Sequence, residues 1–319
     1  MKCLVTAIGS MSAEVVIRAI KYQSGAEVIG CDMHPREWIA ASRLVTRFYR
    51  VPPSVSETVY ISRVLEICQL EDIDFLIPLT DPEVDVLSLN RQVFNDAGVT
   101  ICISAQAAIC AARDKLAVYQ SFYNHPRIRV IPTADLQERG SLDFSFPMLA
   151  KPRCGRSSEG HVIIPDAASL QFWRERFSLQ DYIIQPRYSG DVFVVDIVRS
   201  LDGSRVATMT RQELVRTANG AGITVRMWPK HVCDALAMEV ADILGLSGCA
   251  NVEFLVVDGL PLLMDVNPRF SAGVVFSIIS GYNMAANHIR CFNGGFVELC
   301  PPPPEKVYTR GFVEYSLKD

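Results

Sequence analysis

The chain has 319 residues, with 31 Lys and Arg against 35 Asp and Glu, a formal net charge of −4. Hydrophobic residues make up 49% and charged residues 21%, the balance of a folded chain long enough for two or three domains. A weakly acidic chain without a basic block suits neither the nucleic-acid backbone nor a membrane surface, and no uncharged apolar run approaches the ~18–20 residues of a membrane helix. The N-terminus, MKCLVTAIGS, enters an apolar β-like run without an export-signal cleavage region, so a cytoplasmic protein is expected. The ten cysteines never take CxxC spacing, and several, such as Cys102 and Cys249, sit in apolar runs; this fits a reducing compartment. Five dispersed histidines give no zinc pattern.

In chain order, KCLVTAI (2–8) predicts a buried strand and a turn at Gly9-Ser10. Ser12 is placed to cap the helix whose apolar positions include Val15, Val16, Ala19 and Ile20. Strands follow at 26–31, 74–79 and 99–104, with helical patterns at 57–70 and 82–96 between them. That alternation predicts a doubly wound parallel sheet over residues 1–104, an α/β unit. From 105 the texture becomes α+β. Helices at 105–112 and 115–124, strands at 146–151, 161–165 and 181–185, and a helix near 166–177 make a small lobe over 105–184. The remainder, 185–319, carries longer, antiparallel-looking strands, a helix at 229–245, a hairpin over 250–267 and a closing strand after a short polyproline run.

The hairpin carries the strongest chemical signal. A loop centred on Gly259, read as the three-residue turn Asp258-Gly259-Leu260, sets Glu253 opposite Asp265, with Asn267 and Arg269 following on that face at strand period. Directly opposed carboxylates repel unless a cation lies between them. Two carboxylates and an amide oxygen make a hard site suited to Mg²⁺ on phosphate oxygens, with Arg269 able to hold a phosphoryl group. An ordinary solvated hairpin face is the plain alternative. Lys151 ends the strand before a loop containing Gly155 and Gly160, whose N–H groups can cradle phosphates; alone, this reads better as a plain turn. Lys115 sits on an amphipathic helix, where most lysines are simply solvated. Taken together, the three elements point to Mg-ATP.

These segments, RDKLAVYQSF, FPMLAKPRCGRSSEG, NVEF and MDVNPRFSAG in that order, resemble an ATP-grasp enzyme, in particular the stand-alone proteins similar to the large subunit of carbamoyl phosphate synthetase. The resemblance spans nearly the whole chain, with a Rossmann-like domain ahead of a two-lobed ATP-grasp module. NVEF with DVNPRFSAG is its specific part. It implies ATP and one or two Mg²⁺ ions (Mn²⁺ as a substitute), with Glu253, Asp265 and Asn267 as metal ligands. Lys115, Lys151, Gly155, Ser157 and Ser158 would then meet the phosphates, and Arg269, Lys151 and Arg211 would act on the transferred group. IIQPRYSGD resembles the hinge between the lobes, which implies that Gln185, the Pro186 carbonyl and the Tyr188 N–H read adenine and Asp191 the ribose. Gln185 stands where Glu is frequent, and Asp265 where many members have Glu.

Two further groups invite a role. Arg211, Glu213 and Arg216 read as one strand face; its resemblance to the Arg-rich strand of relatives implies a role near the phosphates or the acceptor carboxylate, and a charged outer face is the equal alternative. Glu83 follows a strand C-terminus, where open α/β sheets bind ligands, and is a substrate-side candidate. The resulting expectation is an ADP-forming carboxylate–amine ligase that works through an acyl phosphate on small-molecule carboxylate and amine substrates. Carboxylate or bicarbonate activation in a multi-protein pathway and a non-catalytic nucleotide-binding regulator are the alternatives. A dinucleotide site built on Asp32, 23 residues after Gly9, lacks GxGxxG in AIGSMSAEV. A homodimer stays open, relatives being commonly dimers.

Overall fold

In the computed structural model, which describes residues 1–137, 144–156, 158–176 and 181–316, three sheets account for the strands. The first is wholly parallel: β1 (Lys2–Val5), β2 (Glu27–Asp32), β3 (Phe48–Arg50), β4 (Phe75–Ile77) and β5 (Thr100–Ile101), in the order β3-β2-β1-β4-β5. Helices α1 (Ala13–Ser24), α2 (Glu57–Leu70), α3 (Asp81–Leu89) and α4 (Arg91–Asp96) cover it. Coverage on both faces explains why Cys3, Leu4 and Val5 are all fully buried in a continuous apolar run. Ser12 occupies the N-cap of α1 but makes no side-chain capping bond, because its backbone is already helical. The pattern read as one helix at 82–96 is two, broken at Asn90.

Helices α5 (Gln106–Arg113) and α6 (Lys115–Phe122) lead through β6 (Arg129–Val130) to a small antiparallel sheet. That sheet is formed by β7 (Ala134–Asp135), β8 (Met148–Pro152), β9 (Val162–Ile164) and β10 (Tyr182–Pro186), with α7 (Ala167–Arg176) against it. Its own core is small: Leu136, Met148, Ala150, Ile164, Leu170 and Ile184. Ala108, Ala112, Val118 and Phe122 instead join the core of the large sheet, and β6 pairs with that sheet in parallel. Residues 105–130 thus pack on the large sheet and, through Ile109 of α5, on the N-terminal core, and the small lobe's sheet begins only at Ala134.

The large sheet comprises β11 (Asp191–Arg199), β12 (Val206–Arg216), β13 (Gly222–Trp228), β14 (Gly248–Val257), β15 (Leu260–Asn267) and β16 (Val307–Thr309), together with β6. Its helices are α8 (Val232–Ile243), α9 (Val274–Ile279) and α10 (Met284–Phe292). Strand alternation divides its two faces. Phe193, Val195, Ile197, Val252, Phe254 and Val266 pack with α8. The opposite face meets α9, α10 and α1 through Val198, Met209, Val225 and Met227. Among the described residues, no helix is long and apolar enough to cross a membrane.

Candidate active site

The face of the large sheet opposite α8 carries polar residues across four neighbouring strands: Asp196 on β11, Arg211 and Glu213 on β12, Asn251 and Glu253 on β14, Asp265 and Asn267 on β15. Glu253 pairs with Asp265 and Asn251 with Asn267, the register expected from the sequence. The turn that produces it is different. Val257 pairs with Leu260 across a two-residue turn, Asp258-Gly259, in which both residues have positive φ (50° and 79°). A two-residue turn alone would set Glu253 opposite Met264. Met264 is instead the extra residue of a β-bulge, and the slip restores the Glu253–Asp265 pair. β12 has a similar irregularity between Glu213 and Arg216, which brings Arg216 onto the face of Arg211 and Glu213 despite its five-residue offset.

A cleft of about 520 Å³ lies over this face, bounded by β8, the loop after it, and two turns of the N-terminal sheet. It brings together Lys115, Lys151, Gly155, Ser158, Arg211, Glu253, Asp265, Asn267 and Arg269, all singled out from the sequence. Six cationic side chains and four carboxylates line it, an excess of positive charge suited to a polyphosphate. Ser157 lies outside the described residues. Gln185, Pro186, Tyr188 and Asp191 do not line the cleft. Gln185 is buried and donates to Thr133 Oγ1 at 2.8 Å, Tyr188 is exposed, and Asp191 opens β11. Gln185 and Pro186 end β10, and Tyr188 lies in the connection that leads to β11 of the large sheet. Gly190 within that connection is required by close approach, since a Cβ there would stand 2.3 Å from the Val256 carbonyl oxygen.

The two lysines approach from the small-lobe side. The N-cap Asp114 carboxylate accepts from the Leu116 and Ala117 N–H groups and is held by Arg153 at 2.6 and 2.7 Å, so the loop after β8 is tied to the start of α6. Lys115 Nζ donates to the Gly155 carbonyl at 3.1 Å and lies 3.7 Å from Asp265 Oδ1. Lys151 is 4% exposed; burial, opposed by Asp265 and reinforced by Lys115, brings its ammonium down to about 8. Burial and the neighbouring Asp265 push Glu253 up to about 7, although Arg216 sits 3.2 Å away. Asn267 Nδ2 donates to Asn251 Oδ1 (3.1 Å) and Glu253 Oε1 (3.4 Å), which leaves the amide oxygen as its offer to a cation. Glu253, Asp265 and the Asn267 amide oxygen are the groups on this face that could hold a hard cation.

Arg211 is 1% exposed and bonded to Asp196 (2.7 Å) and Ser271 (3.1 Å), with Glu213 at 3.4 Å. A Cβ at Gly273 would lie 2.6 Å from its guanidinium, so that glycine makes room for it. Arg269 is tied to the N-terminal unit, its Nη2 donating to Asp81 Oδ2 at 2.7 Å.

Glu83 is not a substrate-side residue. It accepts from Thr6, Thr80 and Tyr60 inside the N-terminal core, and burial pushes it up to about 7. The acid that reaches the cleft is Asp81, two residues earlier at the start of α3. Asp32 is likewise engaged by its own chain, accepting from Gly9 N–H at 2.8 Å and His34 N–H at 3.0 Å. Sequence reasoning also passed over Asn251 and His161. The first was legible at strand period from Glu253. The second lines the cleft just before β9, its pKa lowered by burial and by Lys151 and Lys115, and no local pattern marks it.

Comparison with known proteins bears on the family and the fold. Residues 3–102 match the family described as "PylC-like, N-terminal domain", and residues 178–311 match "ATP-grasp in the biosynthetic pathway with Ter operon". The carbamoyl phosphate synthase arginine-specific large chain of Bacillus subtilis is 22% identical over 295 residues, 87% of this chain but 28% of the relative, so the chain spans little more than a quarter of that protein. Among solved structures, the biotin carboxylase domain of Hydrogenobacter thermophilus 2-oxoglutarate carboxylase, in complex with MgADP and bicarbonate, superposes with a TM-score of 0.77 at 15% identity, covering 94% of this chain and 71% of that one. The L-amino acid ligase of Bacillus licheniformis gives 0.70 at 15% identity, covering 91% and 73%. At these identities the structures establish a shared fold.

Proposed function

We propose, from the premise that this chain is an ATP-grasp protein with a PylC-like N-terminal domain, that it is an ADP-forming carboxylate–amine ligase acting on small molecules. The observation that carries the reading is the convergence of Lys115, Lys151, Glu253, Asp265, Asn267 and Arg269, drawn from separate elements, on one cleft. A carboxylate is a poor electrophile at neutral pH. Transfer of the γ-phosphoryl group of ATP to it forms an acyl phosphate, and an amine then displaces phosphate to form the C–N bond. Lys115 and Lys151 would bind the phosphates, and Arg269 would hold the oxygens of the transferred group, where charge spreads during transfer. Glu253, Asp265 and the Asn267 oxygen fit Mg²⁺, whose charge would relieve the paired carboxylates and neutralise the phosphates. The loop after β8, pinned through Gly155, would exclude water from the intermediate. The β10–β11 connection, with Gln185, Pro186, Tyr188 and Asp191, would hold the nucleoside at the join of the lobes.

The test is a coupled ADP and phosphate release assay with Mg-ATP over pairwise mixtures of amino acids and small carboxylic acids. Release that depends on one pair supports the ligase and names both substrates, whereas AMP and pyrophosphate overturn the acyl-phosphate route. A second reading, activation of bicarbonate or another small carboxylate in a multi-protein pathway, draws on the carbamoyl phosphate synthase relatives; it predicts ADP release with the carboxylate alone. Nucleotide binding without ADP release under any mixture would mark a regulator.

A further inference from the structure

Asp81 belongs to the N-terminal unit, yet its carboxylate touches both ATP-site elements. Oδ2 accepts from Arg269 Nη2 at 2.7 Å, across 188 residues of sequence. Oδ1, which has no hydrogen bond, lies 3.4 Å from Arg113 Nη1. Arg113 in turn reaches the Gly155 carbonyl of the loop after β8 at 3.4 Å and pairs with Asp85 at 3.1 Å. The same carboxylate therefore sits between the hairpin that carries Asp265 and Asn267 and the loop that faces the phosphates.

The support beneath Asp81 is stiff. It is the first residue of α3, with Pro82 fixing the next backbone angle and Thr80 at the N-cap. Glu83 locks that first turn from below by accepting from Thr6, Thr80 and Tyr60. Asp81 itself is 2% exposed, and the two arginines hold it in the ionised form against the cost of burial. On the other side, Arg269 has one terminal nitrogen on Asp81 and the other on the Phe270 carbonyl at 2.9 Å, which fixes the plane of its guanidinium. Removing the Asp81 charge would leave Arg269 without its carboxylate partner and facing Arg113, which keeps Asp85, and like charges in a buried setting move apart.

We propose that Asp81 is a positioning residue for Arg269: the N-terminal unit sets the angle at which this arginine meets the transferred phosphoryl group. It does so through one buried carboxylate and does not touch substrate. The idea rests on the ligase reading for its kinetic consequence but not for its geometric one, and the two are separable by experiment.

The geometric arm uses the full chain without nucleotide. Phenylglyoxal labelling of Arg269, read by mass spectrometry, is expected to rise about fivefold or more in Asp81→Asn and to stay within about twofold of the parent in Asp81→Glu, since an ion-paired guanidinium resists the reagent. Unchanged labelling in Asp81→Asn overturns the proposal. If that variant does not fold, the same labelling is read in Asp81→Asn combined with Arg113→Gln, which removes the opposing cation. The kinetic arm expects Asp81→Asn to lower kcat for ADP release about 10- to 100-fold, with the ATP KM within about threefold of the parent. It also expects Asp81→Asn to add no further loss to Arg269→Lys. Losses that multiply would give Asp81 a separate role and overturn the positioning claim. A parent chain that releases no ADP with any mixture would defeat the ligase reading alone, and the labelling would still decide the position of Arg269.

Discussion

Two pairs of acids in this molecule show how differently strands and helix starts present side chains. Glu253 and Asp265 are 12 residues apart in sequence and stand opposite one another on β14 and β15, both at the cleft. Asp81 and Glu83 are two residues apart, and only Asp81 reaches the cleft, while Glu83 is buried beneath the first turn of α3. On a strand, a step of two returns to the same face; in the first turn of a helix it rotates the side chain by ~200°. The antiparallel lobe therefore supplies its site from whole strand faces. The parallel N-terminal unit contributes only the turns at the C-terminal ends of β1 and β4.

The comparison breaks if Glu253 and Asp265 do not act as a pair. Asp265→Asn is expected to reduce ADP release by roughly a thousandfold or more, while the melting temperature stays within a few degrees of the parent, because the strand register does not depend on that charge. Full activity in the coupled assay would show that the metal site lies elsewhere.

The buried acid of the other pair should reveal itself in stability. Burial raises Glu83 to about 7 from an ordinary value of 4.5. The folded state therefore binds the proton more tightly than the unfolded chain, so the stabilisation is fully present below pH 4.5 and is lost as pH rises through about 7. Glu83→Gln should remove that fall and leave the protein more stable than the parent at pH 8, by about 3 kcal/mol at most. Denaturant melts of both proteins at pH 5 and 8 would show it; parallel pH dependences would mean that Glu83 titrates normally.

Lys151 sharpens the contrast from the side of function against stability. Its buried ammonium is costly to the fold and useful only to an anion in the cleft. Lys151→Met should weaken Mg-ATP binding about 30-fold by calorimetry without lowering the melting temperature. Unweakened binding would remove Lys151 from the phosphate site. The smallest effect is expected at the turn. Gly259 has φ 79° with nothing within 4 Å of a Cβ, so Gly259→Ala should cost about 1 kcal/mol of backbone strain alone, read as a modest drop in melting temperature with the cleft intact.

Periodic sequence was readable where periodicity is what folds. Strand–helix alternation over 2–104 predicts the parallel sheet, and period two predicts that Glu253, Asp265 and Asn267 share a face. The short strands β3, β6 and β7, reading FYR, RV and AD, went unread because each carries a charged residue, whereas the equally short β4, β5 and β9 lie in apolar runs. The hairpin register came out as expected although the turn did not: a bulge at Met264 compensates for a turn one residue shorter, and bulges leave little trace in the pattern of apolar residues.

By itself, then, the sequence determined the fold class, the antiparallel hairpin and the residue types that meet at the cleft, because these depend on local period and on chemistry carried within short motifs. Only the tertiary structure decided which acid of LTDPE faces the cleft. It also decided that Arg211 is gripped by Asp196 and that Arg269 is gripped by Asp81. Those pairings join residues 15 and 188 positions apart; the first depends on how β11 registers against β12 and the second on how the N-terminal unit meets the large sheet, which no local pattern records.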